Sequence, residues 1–357
     1  MRSSRLTAVL MGVAILRATG ERKGMFVTVT GGPGSSGIAS EAKVETINSK
    51  PVRALVLSGG GGRGAFQCGV LEQLTELGWQ PDVLVGTSIG SMNAAVWAIS
   101  GAPGVSRMWD EIRTRHMHRF FRVRPWNSLL DRGPWKRTLE KYAPEDRLRQ
   151  VTTPLYIVAT DITTGHPAVY TNHPDLDNQK PLYQKVDAIT HAHLLASSAI
   201  PYLYPHTQVD RFDHWDGAVM YNSPLRPAVD AGAGEIFVVL LSPYHDQLTP
   251  GDNLPPAPRG IAGKAGYVLD LAITATFEND FEQMRKINRR VQRGTPIPSD
   301  HKQIKCAVIG PREWITPLDI IRYRPDRTAV LRQLGREATA RTWDRIQKQW
   351  DSLQGLE

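Results

Sequence analysis

The chain has 357 residues, of which 41% are hydrophobic and 22% are charged, as in an ordinary globular protein. This length suffices for one large α/β domain or two small ones with a sizeable core, and no apolar run after the N-terminus is long enough to span a bilayer. The net charge of +8 is concentrated in residues 101–150 and 281–357, which suits an anionic partner, either nucleic acid or an anionic membrane surface.

The N-terminus has two of the three features of a signal peptide. Two arginines precede an apolar run over residues 6–16, but Arg17 follows this run and no clean small-x-small cleavage site is present. The alternative interpretation is a disordered extension, since Met25 could also begin the chain. We expect residues 1–51 to be an N-terminal extension of a cytoplasmic protein that is peripheral at the membrane, with secretion as the alternative.

From Val52 onward the sequence alternates predicted strands and helices. VRALVLSG predicts a short buried strand, and residues 65–77 predict a helix that ends at Gly78. PDVLVG predicts a second buried strand, and TSIGSMNAAVWAIS a buried helix. Later strands are predicted at 155–162, 235–243 and 304–311, helices at 264–292 and 326–352, a helix and proline-bounded turn at 191–205, and a loop or hairpin at 214–224. The alternation predicts a three-layer α/β/α fold around a central, mostly parallel sheet, which the C-terminal strand completes.

A glycine-rich turn, SGGGGRG, follows the first strand. Gly59, Gly61 and Gly64 have the spacing G-x-G-x-x-G, which binds the pyrophosphate of a dinucleotide at a helix N-terminus. That function also requires an acidic residue at the end of the next strand. Here the only acid of that strand, Asp82, lies at its start, so the dinucleotide interpretation lacks its second feature.

The second turn, GTSIG, has the nucleophile-elbow pattern G-x-S-x-G between a strand and a helix. The sharp turn is expected to expose the hydroxyl of Ser88, and side chains at Gly86 and Gly90 would collide with the neighbouring strand and helix. A chance match is the alternative, because G-x-S-x-G occurs in many unrelated loops. The flanking strand and helix favour the elbow.

A serine nucleophile needs a base, for which the sequence offers two interpretations. In an ordinary α/β hydrolase a histidine follows the acid, and the candidates after Asp216 are His245 and His301. The more distinctive feature is the sequence Asp216-Gly217-Ala218, in a polar turn near Asn222. The other histidines considered, expected to be surface or hydrogen-bonding residues, are His191, His193, His206 and His214.

The motifs GGGGRG, GTSIG and DGA, in this order, resemble those of the patatin-like phospholipase family. ASSAIPYLYP is similar to the helix-then-proline element that precedes the aspartate in that family, and the resemblance covers about residues 52–345. It implies a patatin-like α/β fold, a serine–aspartate dyad without histidine, no metal or organic cofactor, and a phospholipid or fatty acyl ester substrate. The one departure is a fourth glycine, Gly62, which should loosen the loop without removing its N–H donors.

The resemblance also implies a role for each motif residue. Ser88 is the expected nucleophile and Asp216 the general base, while the N–H groups of Gly60, Gly61 and Gly62 form the oxyanion hole. Arg63 either holds the loop, meets a lipid phosphate or is simply solvated. The remaining supporting residues of the motifs are Gly59, Gly64, Gly86, Gly90 and Gly217. Alternatives are a broad carboxylesterase or lysophospholipase, a Rossmann-type nucleotide-binding protein, and a catalytically silent lipid-binding module.

Residues 103–149 interrupt the alternation and are expected to form a lid or cap within the domain, with 346–357 as its C-terminal end. Residues at helical spacing here are typical of core packing: Val105, Met108, Trp109 and Ile112. Aromatic residues interleaved with arginines predict an interfacial surface for anionic lipid: Phe120, Phe121, Trp126 and Trp135 with Arg119, Arg122 and Arg124. Nucleic acid is disfavoured because no recognised binding motif accompanies these residues, and the oligomeric state stays open.

Overall fold

The computed structural model describes residues 50–120, 128–174, 176, 181–244, 260–294 and 303–354. Predictions made for residues 1–49, Phe121, Arg122, Arg124, Trp126, His245 and His301 lie outside these ranges. The architecture below belongs to the compact unit Pro51–Glu357. Within the described ranges, each helix is too short or too polar to cross a membrane.

The elements follow the predicted alternation. The strands are β1 (Arg53–Leu57), β2 (Val83–Thr87), β3 (Arg119–Phe120), β4 (Leu130–Asp131), β5 (Leu155–Asp161), β6 (His166–Thr171), β7 (Tyr183–Lys185), β8 (Thr207–Val209), β9 (Phe212–Asp216), β10 (Glu235–Val239) and β11 (Lys305–Ile309). The helices are α1 (Ala65–Glu76), α2 (Ile89–Glu111), α3 (Thr114–Met117), α4 (Gly133–Tyr142), α5 (Glu145–Leu148), α6 (His191–Ser197), α7 (Arg226–Asp230), α8 (Gly260–Gln292) and α9 (Pro325–Gln354). Short 3-10 turns lie at Gly61–Gly64, Gly217–Val219 and Pro317–Ile320.

The main sheet has the strand order β11-β10-β1-β2-β5-β6-β7. The five strands from β11 to β5 are parallel, whereas β6 runs antiparallel to β5. Since β11 pairs with β10, the C-terminal strand belongs to this sheet, as the sequence predicts. The described architecture confirms the predicted α/β class with a mostly parallel sheet.

Helices cover both faces of the sheet. Alternate residues of β1 point to opposite faces, so Leu55 and Leu57 pack in one hydrophobic cluster and Ala54 and Val56 in the other. The first cluster includes residues of α1, α2, α6 and α9, and the second includes residues of α7 and α8. The result is three layers, with the sheet in the middle.

One local prediction needs correction. Trp135, expected at an exposed interfacial surface, is buried, and its indole N–H donates to Ser198 Oγ at 3.0 Å. The prediction is wrong for Trp135 because this residue lies on the face of α4 that packs in the core, whereas the basic residues lie on the exposed face. The segment 214–224, predicted as a loop or hairpin, begins within strand β9, which forms an antiparallel hairpin with β8, and the helix predicted within 191–205 ends at Ser197, before the proline-bounded turn. The residues at helical spacing in α2 are buried as expected.

Candidate active site

Strand β5 brings two distant parts of the chain together. Its first residues pair with β2, where Thr87 lies opposite Val158, and its last residues pair with β9, where Asp216 lies opposite Ala159. The residue after Thr87 therefore meets the last residue of β9. Ser88 and Asp216 are 128 positions apart in sequence, yet Ser88 Oγ lies 2.6 Å from Asp216 Oδ2.

Ser88 occupies a strained turn between β2 and α2. Its backbone has φ 54° and ψ −123°, a conformation that residues other than glycine rarely adopt. The turn is tight because a Cβ at Gly90 would lie 2.2 Å from the carbonyl oxygen of Leu57 on the neighbouring strand. The backbone N–H of Ser88 donates to Ser197 Oγ at 2.8 Å, and that hydroxyl donates to Val158 O. The elbow is thus held from two sides.

Asp216 is a buried carboxylate with two direct donors. Ser88 Oγ donates to Oδ2, and the N–H of Ala218 donates to Oδ1 at 2.8 Å. Only 2% of the residue is exposed, and burial raises the pKa of Asp216 from an ordinary 3.8 to about 7. The two hydrogen bonds and the charge of Arg132 act in the opposite direction. A carboxylate with this pKa can accept a proton near neutral pH.

Arg132 is a buried cation beside the pair. Its guanidinium donates to Leu195 O at 2.6 Å and to the hydroxyl of Thr207, and it lies over the ring of Tyr204 at 5.8 Å. Burial lowers the pKa of Arg132 to about 10, which leaves it charged at neutral pH. The charge therefore favours the ionised form of Asp216 through its electrostatic field.

The glycine-rich loop lies against the elbow. A Cβ at Gly59 would come 2.9 Å from Ser88 Cβ, and the N–H of Gly59 donates to Asn222 Oδ1 at 2.9 Å. Gly60 precedes a 3-10 turn that begins at Gly61, and the first N–H groups of such a turn have no carbonyl partner inside it. These N–H groups are the donors that the loop can offer to an anion.

Main chain from the segment before α9 covers the other side of the loop. A Cβ at Gly61 would lie 1.9 Å from Ile320 O, and one at Gly62 would lie 2.4 Å from the carbonyl oxygens of Asp319 and Arg322. Gly62 therefore does not loosen the loop, because it permits this close packing instead. Arg63 is 2% exposed, so the interpretation of a solvated charge is wrong.

A buried network of polar side chains from α1 and α2 holds the same loop. Gln67 donates to Ser58 O at 2.7 Å, and Asn93 donates to Gly64 O and to the side chain of Gln67. The indole N–H of Trp109 donates to Asn93 Oδ1 at 2.8 Å. Each of these groups is satisfied by a fixed partner, which restricts the loop to one position.

Several residues of the site carried no usable signal in the sequence. Ser197, Asn222 and Arg132 each act through a contact with a segment far away in the chain, and no local spacing marks such a contact. The remaining motif glycines sit at close approaches: Gly86 against Ser91, Gly64 against Ile89, and Gly217 against Val158.

The described histidines make contacts away from Ser88 and Asp216. His214 bonds the hydroxyl of Tyr170, His193 caps α6 at Thr190, and His191 bonds Ala143 O. His206 lies 3.7 Å from Asp213. These contacts agree with the expected surface or hydrogen-bonding roles. Within the described ranges, no cluster of His, Cys, Asp and Glu is arranged to hold a metal ion.

A comparison with protein families identifies the segment that contains this geometry. Residues 55–229 match the family model described as Patatin-like phospholipase. The chain contains a patatin-like phospholipase domain. The matched residues of this patatin-like domain include the glycine-rich loop, the elbow and the DGA turn.

Curated relatives match about a third of the chain. The chain is 30% identical over 124 residues to patatin-like phospholipase domain-containing protein 7 of Mus musculus, and 31% identical over 122 residues to patatin-like phospholipase domain-containing protein 6 of Homo sapiens. It is 28% identical over 123 residues to neuropathy target esterase sws of Drosophila melanogaster. Each match covers 33% of this chain and 9% of the relative, so the chain spans a small part of these relatives' length.

A solved structure is also similar to the chain. VipD from Legionella pneumophila matches 83% of this chain and 67% of its own, with 14% sequence identity and a TM-score of 0.44.

Proposed function

We propose that this chain is a serine acyl hydrolase that cleaves fatty acyl esters of phospholipids, with Ser88 as nucleophile and Asp216 as general base. The observation that carries the proposal is the 2.6 Å hydrogen bond from Ser88 Oγ to Asp216 Oδ2, in a buried site at a strained turn. The patatin-like phospholipase domain and the esterase named among the relatives support the substrate class.

The first half of the reaction forms an acyl-enzyme. Ser88 Oγ attacks the ester carbonyl carbon while its proton passes to Asp216 Oδ2, to which the hydroxyl already donates. The tetrahedral intermediate then collapses, the bond to the alcohol breaks, and the leaving oxygen takes the proton from Asp216. A base with a pKa of about 7 suits both transfers, because it accepts and returns a proton near neutral pH.

The charge on the carbonyl oxygen needs donors during both halves of the reaction. The N–H of Ser88 is already bound to Ser197, so it is engaged elsewhere. The N–H groups of Gly60, Gly61 and Gly62 lie on the loop that packs against the elbow, and they are the donors we assign to the oxyanion hole. Fixed backbone donors of this kind contribute about 3 kcal/mol each in other hydrolases.

The second half releases the fatty acid. Asp216, again ionised, accepts a proton from water, and the resulting hydroxide attacks the acyl carbon. The new oxyanion collapses, Ser88 Oγ leaves and takes the proton from Asp216, and the free enzyme is restored. Peripheral contact with an anionic membrane surface would supply the lipid, and the positive net charge supports such contact.

Mass spectrometry of the products formed from a mixed phospholipid panel tests this proposal. The wild-type chain should release free fatty acid and lysophospholipid, and Ser88→Ala should reduce this release at least about 1000-fold. Cleavage of short soluble esters alone would indicate a simple carboxylesterase. Equal release by Ser88→Ala, or none by either chain, would contradict the proposal and leave a silent lipid-binding module.

A further inference from the structure

Two exposed apolar side chains lie on neighbouring segments close to the candidate site. Tyr202 is 82% exposed and Leu129 is 61% exposed. The N–H of Leu129 donates to Tyr202 O at 2.9 Å, and the N–H of Leu130 donates to Leu203 O at 2.8 Å. These two backbone bonds hold the segments together. The pair Tyr202 and Leu129 is called the apolar tip below.

The conformation of Tyr202 is unusual for an aromatic residue. Its φ of 65° lies in the left-handed region, which is unfavourable for a bulky side chain. The turn is fixed by hydrogen bonds from Leu203 to Pro201 O and from Tyr204 to Ile200 O. Asn or Gly would adopt this turn more easily than Tyr, so an exposed tyrosine at a strained position indicates a function for its ring.

The apolar tip is tied to the reacting groups by short stretches of chain. Ala199 O, three residues before Tyr202, accepts the N–H of Asp216 at 2.9 Å. Ser197 accepts the N–H of Ser88, and the ring of Tyr204 lies under Arg132. A surface that touched Tyr202 would therefore lie beside the candidate site.

Positive charge accompanies the apolar tip. In the sequence, Leu129 lies between Arg119 and helix α4, whose Lys136 and Arg137 are exposed. Arg119, on the strand that pairs with β4, has a side chain that is 73% exposed and bonds Asp131 at 2.7 Å. An aromatic and an aliphatic side chain, together with exposed basic residues on the same stretch of chain as Leu129, match the interfacial zone of an anionic bilayer.

We infer that the apolar tip inserts into the surface of an anionic phospholipid bilayer and thereby presents the Ser88 site to membrane lipid. The inference rests on the proposed function for its purpose, but the binding itself does not require catalysis. Tyr202 and Leu129, and not the buried Trp135, would therefore make the apolar contact with lipid.

Vesicle flotation tests the apolar tip independently of catalysis. The full chain with Ser88→Ala is floated with vesicles of equal parts phosphatidylcholine and phosphatidylglycerol, with and without Tyr202→Asn and Leu129→Ser. Asn tolerates the left-handed turn, so the fold should be kept. Loss of both side chains should weaken binding about tenfold or more. The matched control, Val330→Ser with Leu334→Ser on exposed positions of α9, should bind like the parent.

A second measurement uses the active chain. Tyr202→Asn with Leu129→Ser should slow hydrolysis of vesicle lipid about tenfold while turnover of a water-soluble short-chain ester stays within about twofold of wild type. Unchanged flotation of the double variant, or an equal loss in the α9 control, would overturn the inference. Failure of the proposed function would look different, because the flotation difference would persist although neither chain hydrolysed lipid.

Discussion

At the scale of single residues, Asp216 and Arg132 form an electrostatic pair without direct contact. Burial works against the carboxylate of Asp216, and the buried charge of Arg132 favours it. In the proposed reaction, activity near neutral pH depends on the balance between these two effects, since only the ionised carboxylate could accept the proton of Ser88.

Replacing Arg132 should move this balance. In Arg132→Met the favourable charge is lost, so the pKa of Asp216 should rise from about 7 and the acid limb of the kcat/KM profile should move to higher pH by about one unit. Arg132→Lys keeps a charge and should restore much of the wild-type profile. A loss of activity with an unmoved acid limb would show that Arg132 has only a structural role.

The residues that the sequence predicts and those that it misses differ in one physical respect. Ser88 and Asp216 lie in short motifs whose glycines permit a particular turn, so local spacing marks them. Ser197 and Asn222 are ordinary polar residues whose value lies in one contact with a remote backbone N–H. The prediction for Trp135 is wrong because interleaved arginine and aromatic residues fit an amphipathic helix with one buried face as well as a lipid surface.

At the scale of elements, α1 and α9 pack so closely that glycine is required on both. A Cβ at Gly335 would lie 2.1 Å from Phe66 O, and one at Gly69 would lie 1.9 Å from Arg332 O. Arg332 and Arg336 of α9 also form ion pairs with Glu72 of α1. The order and type of these helices follow from hydrophobic periodicity, but their close contact does not, because glycine in a helix usually weakens it.

The contact predicts a reversal of ordinary helix propensity. Gly335→Ala should lower the free energy of unfolding by about 1–3 kcal/mol, because the added methyl group must push the two helices apart. Gln333→Ala, at an exposed position of the same helix, should change it by less than about 0.5 kcal/mol. Thermal or urea unfolding of both variants measures the difference, and a stabilised Gly335→Ala chain would contradict the described packing.

For the whole molecule, the burial of Asp216 lowers the free energy of unfolding at neutral pH while it gives the carboxyl a pKa that suits the proposed reaction. The carboxyl has a pKa of 3.8 when ordinarily exposed and of about 7 in the fold. As pH rises between these values the unfolded chain ionises first, so the free energy of unfolding falls, and above about pH 7 the loss is complete. A neutral residue at this position avoids the loss.

Asp216→Asn should therefore stabilise the chain while it abolishes most activity. Asn keeps an acceptor for the N–H of Ala218 and a partner for Ser88. Relative to wild type, its free energy of unfolding should be higher by up to about 4 kcal/mol at about pH 8, and this advantage should shrink towards zero near pH 4. Urea unfolding at several pH values tests it. If the difference in the free energy of unfolding did not depend on pH, burial would not raise the pKa of Asp216.

Mapping the adduct formed with a fluorophosphonate tests whether Ser88 is a nucleophile activated by Asp216. We expect one adduct on the peptide that contains Ser88, no adduct in Ser88→Ala, and labelling at least about 100-fold slower in folded Asp216→Asn. An adduct on another residue would contradict the assignment of Ser88 as nucleophile. So would wild-type labelling of Asp216→Asn together with loss of labelling when His245 or His301 is replaced.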